Sequence, residues 1–117
     1  MMQNKATLLN LNNQMWKVFI VDSHHPGLVL GNDVCRGCTW NGKQTIYFSN
    51  ELTKVNALRV IIHELTHATL SATQMSIPEE FTEEQLAEFF ALYGEQIIEA
   101  AKKLERWAFG HEQSISI

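Results

Sequence analysis

Two histidines and a glutamate fall close together mid-chain, as His63-Glu64-Leu65-Thr66-His67. In an α-helix, residues four apart project from the same side, about 40° apart around the axis, so both imidazoles can reach one metal ion. Glu64 can lean toward that ion without being forced to ligate it. This is the H-E-x-x-H pattern of zinc hydrolases, whose Glu is the general base that takes a proton from zinc-bound water. The flanking residues predict the required helix over roughly residues 53 to 73. Leu58, Ile61, Ile62, Leu65 and Thr69 mark one apolar face, and the two histidines lie beside that stripe. The competing reading, two core histidines satisfied by backbone carbonyls, would place them within it.

A hydrolytic zinc needs three protein ligands and leaves the fourth position to water, so another His, Asp or Glu must be supplied from elsewhere. A second helix opens with Glu83-Glu84 and carries Glu88 one turn on. Leu86, Phe89 and Phe90 are expected to face the core. Glu84, Ala87, Glu88 and Ala91 form an adjoining strip of carboxylates and small residues that would permit close approach to the first helix. The same strip also reads as a solvated acidic face at a helix N-terminus, favoured there by the macrodipole. Spacing alone does not choose between the two.

The positioning elements predict an α+β domain. Thr7 to Leu11 and Met15 to Val21 read as strands around Asn12-Asn13-Gln14, the second being the most β-prone run in the chain. His24-His25-Pro26-Gly27 is a turn. Val34 to Trp40 and Lys43 to Ser49 flank Asn41-Gly42, a strong two-residue hairpin signal. The expectation is a small, mostly antiparallel sheet of three or four strands, in which 46 and 48 share one face and 45 and 47 the other. Asn50 to Thr53 supplies capping residues for the first helix. Thr82 and Gln85 make a capping box for the second, with Phe81 and Leu86 as a hydrophobic staple. The stripe Phe89/Phe90, Tyr93, Ile97, Ala100/Ala101, Leu104 carries that helix to about residue 109, and Gly110 is a plausible stop. Residues 1–110 are read as one domain and 111–117 as a tail.

The 117 residues are 45% hydrophobic and 19% charged, with a formal net charge of −4. With no basic block, direct nucleic-acid binding is not expected. No signal-peptide pattern and no run of apolar residues long enough to span a bilayer are visible, so a cytoplasmic location in the producing or host cell, with no membrane association, is the expectation. Cys35 and Cys38 form a lone C-x-x-C, half a zinc ribbon. They could join His24 and His25 in a second zinc site, but incidental reduced cysteines are the favoured reading.

Glu84-Gln85-Leu86-Ala87-Glu88-Phe89-Phe90-Ala91 resembles the E-x-x-A-N-x-F-A segment that follows H-E-x-x-H in ImmA/IrrE-type zinc metallopeptidases, a gluzincin group. The layout from about residue 15 to 105 also resembles short H-E-x-x-H proteins of phages and prophages. The resemblance implies a minimal zincin-like fold and a Zn2+ cofactor. It implies His63, His67 and Glu84 as ligands, with Glu64 as general base. Glu88 stands where the family has Asn or Asp; it would either orient a ligating imidazole or compete with Glu84 for the metal.

The activity so implied is hydrolysis of a peptide bond in a protein or peptide partner. An oxyanion donor would come from Tyr93, His111, Tyr47 or His24, with Tyr93 also readable as core packing. The strand at 43–49 is the expected edge for an extended substrate, by analogy of fold. Two alternatives accompany this reading: a zinc-binding regulatory or interaction module without proteolysis, and a SprT-like protease, disfavoured by the lack of a basic region or zinc ribbon after the motif.

Overall fold

In the computed structural model, residues 1–73 and 82–110 are described. The chain opens with a hairpin of β1 (Lys5–Leu11) and β2 (Gln14–Val21), paired antiparallel with Leu11 opposite Gln14. Its turn residues Asn12 and Asn13 have φ of 50° and 67°, the left-handed region that Asn tolerates and that matches the twist of a two-residue hairpin. A short 3-10 turn at Pro26–Leu28 follows, then a two-strand ribbon of β3 (Val29–Leu30) and β4 (Asp33–Val34). Leu28 ends that turn, and Val29 and Leu30 form the first strand of the ribbon.

β5 (Gly37–Trp40) and β6 (Thr45–Ser49) complete the main sheet, ordered β1-β2-β6-β5. The β1–β2 and β5–β6 pairs are antiparallel, whereas β2 and β6 run parallel. The sheet is therefore mixed, and the fold is α+β, as the residue pattern predicts.

The β5–β6 connection departs from the expected two-residue turn. Trp40 pairs with Thr45, leaving four residues between them. Asn41–Lys43 form a 3-10 turn, and Gln44, not Gly42, takes the left-handed conformation with φ 47°. The strand expected from Val34 to Trp40 is also divided, Val34 pairing with Val29 in the ribbon while Gly37 onward joins the main sheet.

One face of the sheet carries Leu9, Leu11, Trp16, Val18, Ile20, Ile46 and Phe48, all buried. Against it lie α1 (Lys54–Ala72), through Ala57, Ile61, Leu65 and Ala68, and α2 (Glu83–Phe109), through Ile97, Ala100, Ala101, Leu104 and Trp107. These residues form one continuous hydrophobic cluster. Thr53 begins α1, its N–H donating to the Asn56 side chain at 3.0 Å. Thr82 begins α2 with the expected capping box, its hydroxyl accepting from Gln85 N–H at 3.1 Å and its own N–H donating to the Gln85 side chain at 2.9 Å. Phe81, the other half of the expected staple, lies outside the described residues.

The helices differ in length. α2 has 27 residues and α1 has 19, a difference of about 12 Å at 1.5 Å per residue. Ala57 and Ile61 of α1 meet Leu104, Trp107 and Ala108 of α2 around a small apolar gap, so the beginning of α1 lies beside the end of α2. The first turns of α2 consequently overhang. Residues 83 to 88 are all exposed and Phe89 is the first buried side chain. Leu86 and Phe90, expected in the core, are 53% and 61% exposed because the overhang has nothing described to pack against.

Candidate metal and peptidase site

α1 turns Leu65 into the core while His63 and His67 stay exposed on the adjoining surface. Their rings meet edge to face, centroids 4.9 Å apart, and the two Nε2 atoms are separated by 3.3 Å. Two nitrogens each about 2.0–2.1 Å from a zinc ion at a tetrahedral angle would stand about 3.3–3.4 Å apart. The pair therefore fits half of a zinc coordination shell. Without a cation, the same approach requires one Nε2 to carry a proton and the other to accept it.

Glu64 is treated differently from its neighbours. It is 7% exposed, turned toward β5, and its Oε1 accepts a hydrogen bond from Thr39 Oγ1 at 2.7 Å. The same hydroxyl lies 3.2 Å from the Glu64 backbone oxygen. A hydroxyl has one proton, and the shorter, charge-assisted contact to the carboxylate is where it belongs. The second carboxylate oxygen, Oε2, is 3.9 Å from His63 Nε2. One oxygen is thus anchored to the sheet and the other faces the histidines.

The close fit of α1 on β5 depends on Gly37. A Cβ at that position would stand 2.9 Å from Glu64 Cγ and 3.0 Å from Val60 Cγ1. Gly37 and Thr39 share the sheet face of their partners Phe48 and Ile46. Neither residue was singled out by the sequence. Alternation along 37–40 would have put them on one face, but that this face meets Glu64 follows only from the packing of the helix.

β5, not β6, forms this edge of the sheet, with β1 at the other. β6 lies between β2 and β5 with both sides paired, which corrects the expectation that the strand at 43–49 offers an open edge. Ser49 N–H donates to the Arg36 carbonyl at 2.9 Å. By antiparallel alternation, the N–H and C=O groups of Gly37 and Thr39 are turned away from β6, toward the open side.

Glu84 and Glu88 lie exposed on the overhanging turns of α2. Among the described residues, no group of three or more His, Cys, Asp or Glu side chains is arranged to hold a metal ion, so neither glutamate completes the histidine pair here. Tyr93 is half-buried and packs against Phe89, ring centroids 5.4 Å apart. Tyr47 stacks on Phe19 and His25 at 5.4 and 5.1 Å. It alternates with Ile46 and Phe48, so it stands on the sheet face opposite α1 and is removed as an oxyanion donor. His24 is exposed ahead of the Pro26 turn, and His111 lies outside the described residues.

Cys38 is buried and Cys35 half-buried, both free thiols. Burial raises the Cys38 thiol above its ordinary pKa, with Cys35 and then Glu64 adding to the rise. His25 Nδ1 accepts the Gly27 N–H at 2.9 Å, so that histidine has a structural task.

In comparison with known proteins, no family model, no curated protein and no solved structure matches this chain. The resemblance to ImmA/IrrE-type metallopeptidases therefore rests on the residues quoted for it.

Proposed function

We propose that this protein is a zinc-dependent metallopeptidase of ImmA/IrrE-like type, acting on a protein or peptide partner. The observation that carries the reading is the 3.3 Å spacing of the His63 and His67 Nε2 atoms, with a buried carboxylate beside them. His63 and His67 would hold the metal. Glu84 is proposed as third ligand with Glu88 as the alternative; the first turns of α2 bury no side chain before Phe89, so little packing opposes their approach. Bound zinc supplies Lewis acidity to a water and to the scissile carbonyl. Glu64 Oε2 accepts the proton of the attacking water and delivers it to the leaving amine. The outward backbone groups of Gly37 and Thr39 suit pairing with an extended substrate segment.

The test combines metal content with proteolysis of unfolded casein and a quenched fluorogenic peptide pool. The wild type should bind one zinc and cleave; Glu64→Gln should keep the zinc and lose cleavage; His63→Ala should lose both. Cleavage surviving in Glu64→Gln would overturn the mechanism. If Glu88→Ala rather than Glu84→Ala abolishes zinc binding, the third ligand is Glu88.

A second reading, a zinc-binding module that works by holding a partner, is favoured by one observation. The first turns of α2 expose Leu86 and Phe90 at 53% and 61%, neighbours on one helix face that offer an apolar surface suited to a protein partner. Zinc binding without cleavage, in both wild type and Glu64→Gln, would select it.

A further inference from the structure

We infer that Thr39 is a positioning residue that keeps Glu64 a base and prevents it from becoming a metal ligand; this rests on the peptidase reading above. A glutamate next in sequence to a ligating histidine has two competing uses. Its carboxylate can bind the metal directly, or it can stay one water away and move a proton. The geometry that separates them is in place. Thr39 Oγ1 holds Oε1 at 2.7 Å, and Gly37 leaves room for the Glu64 side chain to lie against β5, its Cγ occupying space that a Cβ at residue 37 would enter at 2.9 Å. With Oε1 tied to the sheet, the carboxylate presents Oε2 alone toward His63, at 3.9 Å from Nε2. The hydroxyl belongs to an edge strand whose residues 37 and 39 also turn their backbone N–H and C=O groups away from β6. An extended partner settling on that edge would thus fix the residue that fixes the base.

Removing the hydroxyl releases the carboxylate. In Thr39→Val, which keeps the side-chain shape, Glu64 can swing to the metal. Two changes should follow. Zinc, titrated alone against the apo protein by competition with a chelating dye, should bind several-fold more tightly, and the double variant Thr39→Val/Glu64→Gln should return to the wild-type value. Turnover of the fluorogenic peptides should fall in kcat by about ten- to a hundredfold, the range for losing one hydrogen bond to a charged group, with KM little changed. Thr39→Ser, which keeps the hydroxyl, should restore both properties and controls for misfolding of the valine variant. Zinc affinity and kcat both unchanged in a folded Thr39→Val would overturn the inference while leaving the peptidase standing. A loss of zinc affinity in Thr39→Val that Thr39→Ser does not repair would also overturn it, as a packing effect. If the wild type cleaves nothing, the peptidase reading fails and this inference fails with it.

Discussion

At Gly37 the absence of a side chain does the positioning. Both atoms that a Cβ would crowd, Glu64 Cγ at 2.9 Å and Val60 Cγ1 at 3.0 Å, belong to the same face of α1, and Phe48 Cδ1 follows at 3.3 Å. Val60 is β-branched and stiff, so α1 itself would have to move. Gly37→Ala is expected to destabilise the fold by about 1–3 kcal/mol, the range for overpacking a well-filled interior, as read by urea denaturation. It should also displace the carboxylate. The thiol next along the strand gives a second residue-level expectation. Because the Cys38 pKa is raised, its thiolate fraction at a given pH is below that of an ordinary cysteine, and the side chain is buried. Alkylation by iodoacetamide near neutral pH should therefore mark Cys35 well before Cys38, as followed by peptide mass mapping. The linked stability has a definite sign. A raised thiol pKa stabilises the fold below the unfolded-state value, and that contribution is lost as pH rises through the folded one. Equal labelling of the two cysteines in native protein would contradict the burial of Cys38.

Among the elements, those specified by local chemistry were legible and those specified by long-range pairing were not. The first strand pair forms around Asn12 and Asn13 as expected, except that Gln14 already belongs to β2, and the Thr82 capping box forms as its residue types predict, because both depend on neighbours a few positions away. Asn41-Gly42 carried an equally local signal and misled. Ile46 must pair with Val18 of β2 and Thr39 of β5, and that register leaves four residues in the connection. The parallel pairing of β2 and β6 was equally hidden, since it depends on a crossover through the β3–β4 ribbon. The apolar stripe expected on α2 reaches the core at Phe89, Tyr93 and from Ile97 onward but not at Leu86 and Phe90, where the apolar pattern continues beyond the partner surface. The Thr82 cap permits a test of how independent that overhang is. Thr82→Ala should cost about 0.5–2 kcal/mol if the first turns fold cooperatively with the rest. If they fray separately, the loss should appear in amide exchange of residues 83 to 88 and hardly at all in global unfolding.

At the scale of the whole molecule, the candidate site is assembled from parts that only tertiary structure brings together. His63, Glu64 and His67 were readable as a group because one helix carries them, at a spacing fixed by its own geometry. Thr39 was not readable, because nothing local in residues 37–40 reports that α1 will lie across them. The carboxylate proposed to complete a metal shell, Glu84 or Glu88, is borne on α2, whose first turns the core does not hold, so under that proposal metal binding and the placement of those turns should be thermodynamically linked. Zinc that binds the native state and not the unfolded chain stabilises by about 2.7 kcal/mol when its free concentration is about a hundred times Kd. For a chain of this size that corresponds to a rise in Tm of roughly 10 °C. Calorimetry should show this rise for the wild type and lose it in both His63→Ala and His67→Ala. The third ligand is tested by the same scan. If Glu84 joins the histidines on the metal, zinc should also slow amide exchange in the first turns of α2, and Glu84→Ala should remove both the added protection and most of the rise in Tm. A full rise with no change in exchange over residues 83 to 88 would mean that zinc is held without α2.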